Sequence, residues 1–190
     1  MRVLLELGRD GGSINNHPSK LWTVAAHSPV EKRWSELTPR ELYAFLKLRT
    51  DVFLVEQGVD ETELDWRDAE PETLHCWIET TTADGAAEIA AYLRVLFDAE
   101  AEHADAHRVI GRVVVHPAHR GTGLAQVLLG RVIEQFGHES LLLHAQSYIA
   151  PLYARVGFEP FGAEYIEAGI PHISMLRKGA ARPGAALGGR

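Results

Sequence analysis

The sequence has a single cysteine among its 190 residues and lacks any long uninterrupted apolar segment. Because Cys76 has no second cysteine to pair with in the chain, nothing indicates an oxidising compartment. No apolar stretch approaches the ~18 residues that a membrane-spanning helix requires, and residues 1–7 are too short and too acidic for a secretory signal. These absences predict a cytoplasmic protein with no membrane partner, in which Cys76 packs in the core.

Acidic residues are missing from residues 106–133, although the whole chain carries a formal net charge of -7. The local charge sets the local electrostatic potential, so an anion site is plausible in this segment; a solvated basic surface is the alternative. The acidic balance of the rest of the chain, which has no long basic face, argues against binding to nucleic acid. The basic residues of the segment are Arg108, Arg112, Arg120 and Arg131.

A glycine-containing turn in this segment joins a predicted strand to a predicted helix. The β-branched run of residues 113–115 ends before Pro117, Gly121 and Gly123 follow, and helical apolar spacing begins at Leu124. The first turn of a helix leaves backbone N–H groups unpaired, and glycine lets the backbone approach a ligand closely. Residues 120–125 are therefore predicted to bind an anion.

Two common phosphate-binding patterns do not fit this turn. The P-loop pattern Gly-x-x-x-x-Gly-Lys-Ser/Thr occurs nowhere in the chain. The dinucleotide pattern Gly-x-Gly-x-x-Gly fails because Gln126 stands at the third glycine position. A nucleotide-binding module is thereby disfavoured.

A third pattern, Arg-x-x-Gly-x-Ala, is formed by Arg120, Gly123 and Ala125 directly after a strand end that reads Val-x-Pro. It resembles the acetyl-CoA motif of the GNAT superfamily of N-acetyltransferases. In that superfamily the backbone amides of this turn hold the pyrophosphate of coenzyme A.

The sequence further downstream strengthens this resemblance. Tyr153, Gly157 and Phe158 form the pattern Tyr-x-x-x-Gly-Phe, which resembles the second cofactor motif of the superfamily. The likeness spans roughly residues 35–177 and is closest to the ElaA-like branch. The other segments that carry it are residues 42–57, 91–95, 109–113 and 167–173.

The order of the predicted elements is that of a mixed α/β (α+β) domain. The resemblance implies the GNAT fold, in which a mostly antiparallel sheet has a central parallel pair splayed to hold coenzyme A. One domain is expected over residues 35–177, before a disordered tail (178–190). It follows an extension of uncertain order (1–34), which is a flexible leader, an extra edge element or a product of start-site choice. The predicted helices cover residues 39–52, 124–136 and 148–156, and the predicted strands cover residues 75–82, 88–97, 109–115, 141–145, 158–166 and 172–176.

The resemblance also implies acetyl-CoA as the cosubstrate, with no metal, and it assigns residues to this ligand. Backbone groups of Val113 and Val115 are expected beside the pantetheine arm. Gln146 is expected to face the pantetheine arm too, at a position where many relatives carry an asparagine. The pyrophosphate is expected at Arg120, Gly121, Thr122, Gly123, Leu124 and Ala125.

Three residues are the leading candidates for proton transfer. Tyr153 is predicted to be the general acid that protonates the departing thiolate. Glu56 and His172 rank first as the general base, because burial would raise the pKa of Glu56 and a strand would direct His172 into a cleft. His75 and His144 are further candidates, and hydrogen-bonded structural histidines are the alternative reading for all of them.

The acceptor is expected to be a primary amine of a small molecule or a peptide, and a homodimer is possible by analogy with relatives. A catalytically silent acyl-CoA-binding sensor on the same fold is the alternative to an enzyme. His103 and His107 have the spacing of two metal ligands on a helix, but a solvated acidic loop explains them. Four acidic residues, which either attract a cationic amine or form a solvated loop, are Glu61, Glu63, Asp65 and Asp68.

Overall fold

The computed structural model describes residues 28–81 and 85–180, and within them seven strands form one sheet in the order β1-β2-β3-β4-β5-β7-β6. The strands are β1 (Val30–Arg33), β2 (Leu74–Thr81), β3 (Ala87–Phe97), β4 (Arg108–Val115), β5 (Leu141–Gln146), β6 (Glu159–Glu167) and β7 (Ile170–Arg177). The helices are α1 (Pro39–Arg49), α2 (Leu124–Phe136) and α3 (Ala150–Ala154).

All neighbouring strands are antiparallel except β4 and β5, which are parallel. The mixed sheet with a central parallel pair is therefore confirmed. α2 has the predicted bounds, whereas the predicted helix over residues 148–156 is shorter because residues Ser147–Ile149 form a turn of 3-10 helix instead. The predicted turn between β2 and β3 falls partly on residues 82–84, outside the described residues.

The alternating side chains of the sheet build a core on each face. Cys76 and Ile78 belong to the apolar cluster that includes α2, whereas Trp77 between them packs with Phe45 of α1. This alternation follows from the two-residue repeat of a strand. Cys76 is fully buried, and burial raises the pKa of its thiol to about 12. The predicted packing role of Cys76 is confirmed.

The folded unit extends beyond the predicted boundaries at both ends. β1 pairs with β2 at an edge of the sheet, so part of the segment before residue 35, whose order the sequence left open, belongs to the folded unit. Ala180 donates a backbone hydrogen bond to Gly137 O (2.8 Å), so the last described residues also belong to the domain. Residues 1–27 and 181–190, on which the other predictions about the ends fall, lie outside the described residues.

α1 begins where the sequence predicts, and its end leads into an unusual segment. Thr38 caps the helix, with Glu41 completing a capping box and Pro39 at the first helical position. After Arg49 the chain continues as a π-helix over Thr50–Glu56. Such segments are uncommon and occur often at functional sites.

Asp68 is the centre of a buried ion-pair network beneath the segment that follows the π-helix. One oxygen, Oδ1, accepts from Nη1 of both Arg49 (2.8 Å) and Arg94 (3.0 Å). Arg49 also pairs with Glu63, and Arg94 with Asp65. Because both guanidinium groups are almost completely buried, these carboxylates provide the compensation that a buried charge requires. The network joins α1 and β3 to residues 63–68.

We expect Asp68→Ala to lower the free energy of unfolding by about 3 kcal/mol, because two buried arginines lose a shared partner while each keeps another. Chemical denaturation monitored by circular dichroism measures the change. The matched control is Asp51→Ala, which removes the solvent-exposed Lys47–Asp51 pair and should change stability by less than about 1 kcal/mol. Equal losses of stability in the two variants would show that the buried ion-pair network does not depend on Asp68.

Candidate active site

β4 and β5 are paired over a short distance and then separate. Their register contains Arg108 opposite Leu141, Val109 opposite Leu142, and Ile110 opposite Leu143, with no pair after these within the described residues. A cavity of about 390 Å³ has walls from both strands where they separate. The splayed parallel pair that the resemblance implies is therefore present.

A β-bulge shapes the β4 wall of this cavity. Tyr92 of β3 pairs with Val114, and Arg94 pairs with Gly111, so two residues of β4 stand opposite one residue of β3. One of the two, Arg112, has φ 54°, a left-handed conformation that is uncommon for a residue with a side chain. The other, Val113, lines the cavity.

The side chain of Arg112 is held by the segment that the Asp68 network fixes. Its Nε lies 2.6 Å from Glu63 Oε2, and its Nη2 lies 3.6 Å from Asp65 Oδ2. Its Nη2 also donates weakly, at 3.4 Å, to the carbonyl oxygens of Thr62 and Glu63. A residue in a strained conformation persists when its surroundings fix it, and these contacts have that effect.

The predicted anion-binding turn has the backbone that such a turn needs. Gly121 (φ 77°) and Gly123 (φ 86°) are both left-handed, and Thr122 Oγ1 donates to His119 O at 2.6 Å. Gly123 is the N-cap of α2 and has no side chain with which to cap the helix. The first N–H groups of α2 therefore remain available to an anion.

Glu56 lies beside this turn, where it pairs with Arg120. Its two carboxylate oxygens accept from Arg120 Nη1 and Nη2 at 2.8 and 2.7 Å, in bidentate geometry. The hydrogen bond with Arg120 lowers the pKa of Glu56, which opposes the rise expected from burial. The contact argues against the prediction that Glu56 is the base, because a carboxylate with a lowered pKa accepts a proton poorly.

Tyr153 lies in α3 and lines the cavity. Its side chain is buried, its ring packs edge-on against Phe158, and burial raises the pKa of the phenol. Gly157, after α3, has φ 90°, which confirms the predicted left-handed helix end. The hydroxyl of Tyr153 therefore stays protonated at neutral pH in a largely water-excluded position.

His172 of β7 lines the same cavity and has a defined tautomer. Its Nδ1 lies 2.8 Å from Ile170 O, and a carbonyl oxygen only accepts, so Nδ1 carries the proton. Its Nε2 consequently has a free lone pair. The ring is steadied by stacking on Tyr165.

The other histidines that the sequence offered as bases are engaged on both nitrogens. His75 is fully buried, with Nδ1 2.7 Å from Tyr92 Oη and Nε2 3.0 Å from Asp68 O. His144 lines the cavity, but its Nε2 lies 3.1 Å from Glu102 and its Nδ1 3.0 Å from the hydroxyl of Ser174. The structural reading is confirmed for His75.

Gln146, at the end of β5, lines the cavity and donates to Gln57 Oε1 at 3.2 Å. This contact joins the end of the π-helix to the β5 wall. Val115 is partly buried against the α2 core, and its carbonyl accepts weakly from Arg120 Nε at 3.4 Å. Of the predicted ligand-binding residues, Val113 and Gln146 thus line the cavity in the gap between the strands, whereas those of the glycine turn lie outside its lining.

Three of the four acidic residues that the sequence offered for attracting an amine are already in ion pairs. Glu63, Asp65 and Asp68 bind arginines, and Arg94 with Arg112 lowers the pKa of Asp65 to about 2. The fourth, Glu61, accepts from the backbone N–H of Ala168 at 3.0 Å. For the three paired residues both alternatives are therefore wrong: their carboxylates are not free to attract an amine, and they do not form a solvated loop.

Arg112 and its partners are the part of the site that the sequence did not reveal. A single extra residue in a strand leaves the apolar pattern of residues 109–115 almost unchanged, and an arginine in a left-handed conformation has no sequence signal. No helix in the described part of the chain is both long and apolar enough to cross a membrane.

Residues 78–178 match a family model described as an acetyltransferase (GNAT) domain. The UPF0039 protein Rv2851c of Mycobacterium tuberculosis is 40% identical over 153 residues, which are 79% of this chain and 93% of that protein. Protein ElaA of Escherichia coli is 36% identical over 151 residues, which are 76% of this chain and 92% of that protein.

Solved structures agree with these matches. The crystal structure of Escherichia coli ElaA has a TM-score of 0.68 at 33% sequence identity, covering 80% of this chain and 99% of that one. An acyl-CoA N-acyltransferase from Pseudomonas aeruginosa has a TM-score of 0.68 at 36% identity, again covering 80% of this chain and 99% of that one.

Proposed function

The chain belongs to the GNAT acetyltransferase family, close to the ElaA proteins, and we propose that it transfers the acetyl group of acetyl-CoA to a primary amine of a small molecule or peptide. The observation that carries this proposal is the gap between β4 and β5, which begins after the Ile110–Leu143 pair. It forms a cavity that reaches both Tyr153 and His172.

We assign to acetyl-CoA a path from the glycine turn to this cavity, and the residues present fit the ligand at both ends. The uncapped N-terminus of α2, reached through the left-handed Gly121 and Gly123, suits the pyrophosphate. The pantetheine arm is an extended chain with amide groups, and strands that have separated offer it free backbone donors and acceptors. Arg120 adds positive charge, although an incoming phosphate must compete with Glu56 for it.

The acetyl group passes to the amine in one direct step. The amine nitrogen forms a bond with the carbonyl carbon of the acetyl group, and the bond from that carbon to sulfur breaks. Nε2 of His172 takes the proton that the nitrogen loses, since its lone pair is free and the residue lines the cavity. The thiolate takes the phenolic proton of Tyr153, and the proton held by His172 restores the phenol through water.

The raised pKa of Tyr153 has two opposite effects on this step. It keeps the phenol protonated over the whole working range of pH, as a general acid requires. It also makes complete proton transfer to a thiolate, whose ordinary pKa is about 8.5, more unfavourable than for a free tyrosine. The hydroxyl therefore acts best by donating a hydrogen bond to the sulfur as negative charge develops, with the phenolic proton passing to the sulfur as the attacking nitrogen loses its own proton to His172.

The second candidate function is an acyl-CoA-binding sensor without turnover, which would share the binding path. Tyr153 and the free lone pair of His172 favour the enzyme, because a sensor has no need of either group. The two candidates differ in whether the protein releases coenzyme A in the presence of an amine.

Acetyl-CoA should raise the melting temperature of the protein by roughly 5–10 °C at about 100 times its dissociation constant, which corresponds to about 2.7 kcal/mol. Differential scanning fluorimetry measures the shift, with NAD and ATP as comparison ligands. Gly123→Ala should reduce it, because the substitution strains a left-handed residue beside the ligand. Gly130→Ala, in the middle of α2 and with open space around its new methyl group, is the matched control and should keep the shift. A larger shift with ATP or NAD would contradict the proposal.

Tyr153→Phe should lower kcat about 100-fold or more, while the KM for acetyl-CoA changes little, because the variant keeps the ring but loses the proton donor. Release of the coenzyme A thiol reports the rate. Because the pKa of Tyr153 is raised above the ordinary value of about 10, wild-type activity should show no alkaline loss due to this group below about pH 10. Tyr148→Phe, which alters a half-exposed tyrosine, is the control. An unchanged kcat in Tyr153→Phe would remove this residue from the mechanism.

His172→Gln and Glu56→Gln distinguish the two predicted bases. His172→Gln should lower kcat/KM for the amine by about 10²–10⁴-fold near neutral pH and recover at alkaline pH, where the amine is already deprotonated. Glu56→Gln should change kcat by less than about fivefold, since its carboxylate is bound by Arg120. The opposite result, a large and pH-dependent loss in Glu56→Gln alone, would restore Glu56 as the base.

A further inference from the structure

Two histidines and a glutamate meet beside the glycine turn, outside the cavity. The Glu88 cluster consists of Glu88 in β3, His116 after β4, and His119 in the following turn. The Nε2 atom of His116 lies 3.5 Å from Glu88 Oε1, and the Nε2 atom of His119 lies 3.8 Å from Glu88 Oε2. One ligand atom from each residue lies within 4.8 Å of the other two.

The backbone fixes the positions of these three residues relative to one another. The N–H of His116 donates to Ala90 O at 2.8 Å, which ties the end of β4 to β3 two residues beyond Glu88. The N–H of His119 donates to His116 O at 2.8 Å, and Pro117 stiffens the turn between the two histidines. The cluster is therefore assembled by the fold rather than by mobile side chains.

We propose that the Glu88 cluster binds a divalent transition metal ion of the zinc type. Two ligand atoms at the usual 2.0–2.2 Å from a tetrahedral zinc ion lie about 3.3–3.6 Å apart. The histidine nitrogens lie 3.5 and 3.8 Å from different oxygens of Glu88, and the three ligand atoms lie within 4.8 Å of one another. Side-chain shifts of about 1 Å therefore bring all three around one ion. Two imidazole nitrogens and one carboxylate suit Zn²⁺, Co²⁺ and Ni²⁺, whereas Mg²⁺ and Ca²⁺ prefer oxygen ligands.

The three side chains are about one-third exposed, so an ion reaches them from solvent and keeps a position for water. None of the three lines the cavity of the candidate active site. The metal site therefore lies outside the cavity, although His119 directly precedes Arg120 of the glycine turn. Its existence does not depend on the assignment of acetyl-CoA.

Metal binding requires one hydrogen bond to change. The N–H of Ala118 donates to Nδ1 of His116 at 3.3 Å, so in the metal-free protein the proton of a neutral His116 ring lies on Nε2. An ion on Nε2 moves that proton to Nδ1, and the long bond from Ala118 is given up. The bound ion replaces this contact with a bond that joins the turn to β3 through Glu88.

The test is titration of the chelator-stripped full-length protein, without an affinity tag, with Zn²⁺ by isothermal titration calorimetry. We expect one ion per chain, and at least about tenfold weaker binding in each of His116→Ala, His119→Ala and Glu88→Gln. Titration with Co²⁺ should give the visible absorption band of a four- or five-coordinate site. Mg²⁺ should give no binding heat at the same concentrations.

His144→Gln is the matched control, because it removes the histidine of another histidine–glutamate contact, with Glu102. It should leave the Zn²⁺ affinity and stoichiometry unchanged. Undiminished binding in the double variant His116→Ala/His119→Ala, loss of binding in His144→Gln, or no binding by the wild-type protein would each overturn the proposal. The melting temperature of each metal-free variant shows whether it is folded. If either histidine variant does not fold, Glu88→Gln provides the test instead.

Discussion

The separation of two parallel strands in the middle of the sheet is the constraint on which the site depends. A strand that leaves its neighbour exposes backbone groups that must find another partner, because unpaired polar groups inside a protein are costly. β4 and β5 separate after Ile110 and Leu143, while β4 stays paired with β3 and β5 with β7. The sheet therefore remains continuous at one end of the pair and offers an extended ligand a strand-like position at the other.

The ion-pair network ties this opening to the stability of the domain. Asp68 binds the two buried arginines of α1 and β3, and the neighbouring carboxylates of Glu63 and Asp65 reach Arg112 at the bulge. One short segment thus neutralises the buried charge and fixes the backbone of the cavity wall. Because Asp65 has a pKa of about 2, its pairs persist well below neutral pH.

Local patterns in the sequence predicted the elements whose signals are local. The bounds of α2 follow from Gly123 and the regular apolar spacing after it, and the capping box placed the start of α1. β1 was left open, as one of several alternatives for residues 1–34, because four half-buried residues at a sheet edge have no clear periodicity. The ion pair of Glu56 was missed because its partner lies 64 residues away, and such a pairing depends on the tertiary fold.

The buried position of Cys76 makes this chain convenient to assay. Thiol reagents react with the thiolate form of cysteine. Because Cys76 has no contact with solvent and its pKa is raised to about 12, almost none of it is present as thiolate. A colorimetric reagent added to the folded protein would thus detect coenzyme A released into solution without a background from the protein. Since the chain has one cysteine, the same reagent would count unfolded molecules once denaturant is present.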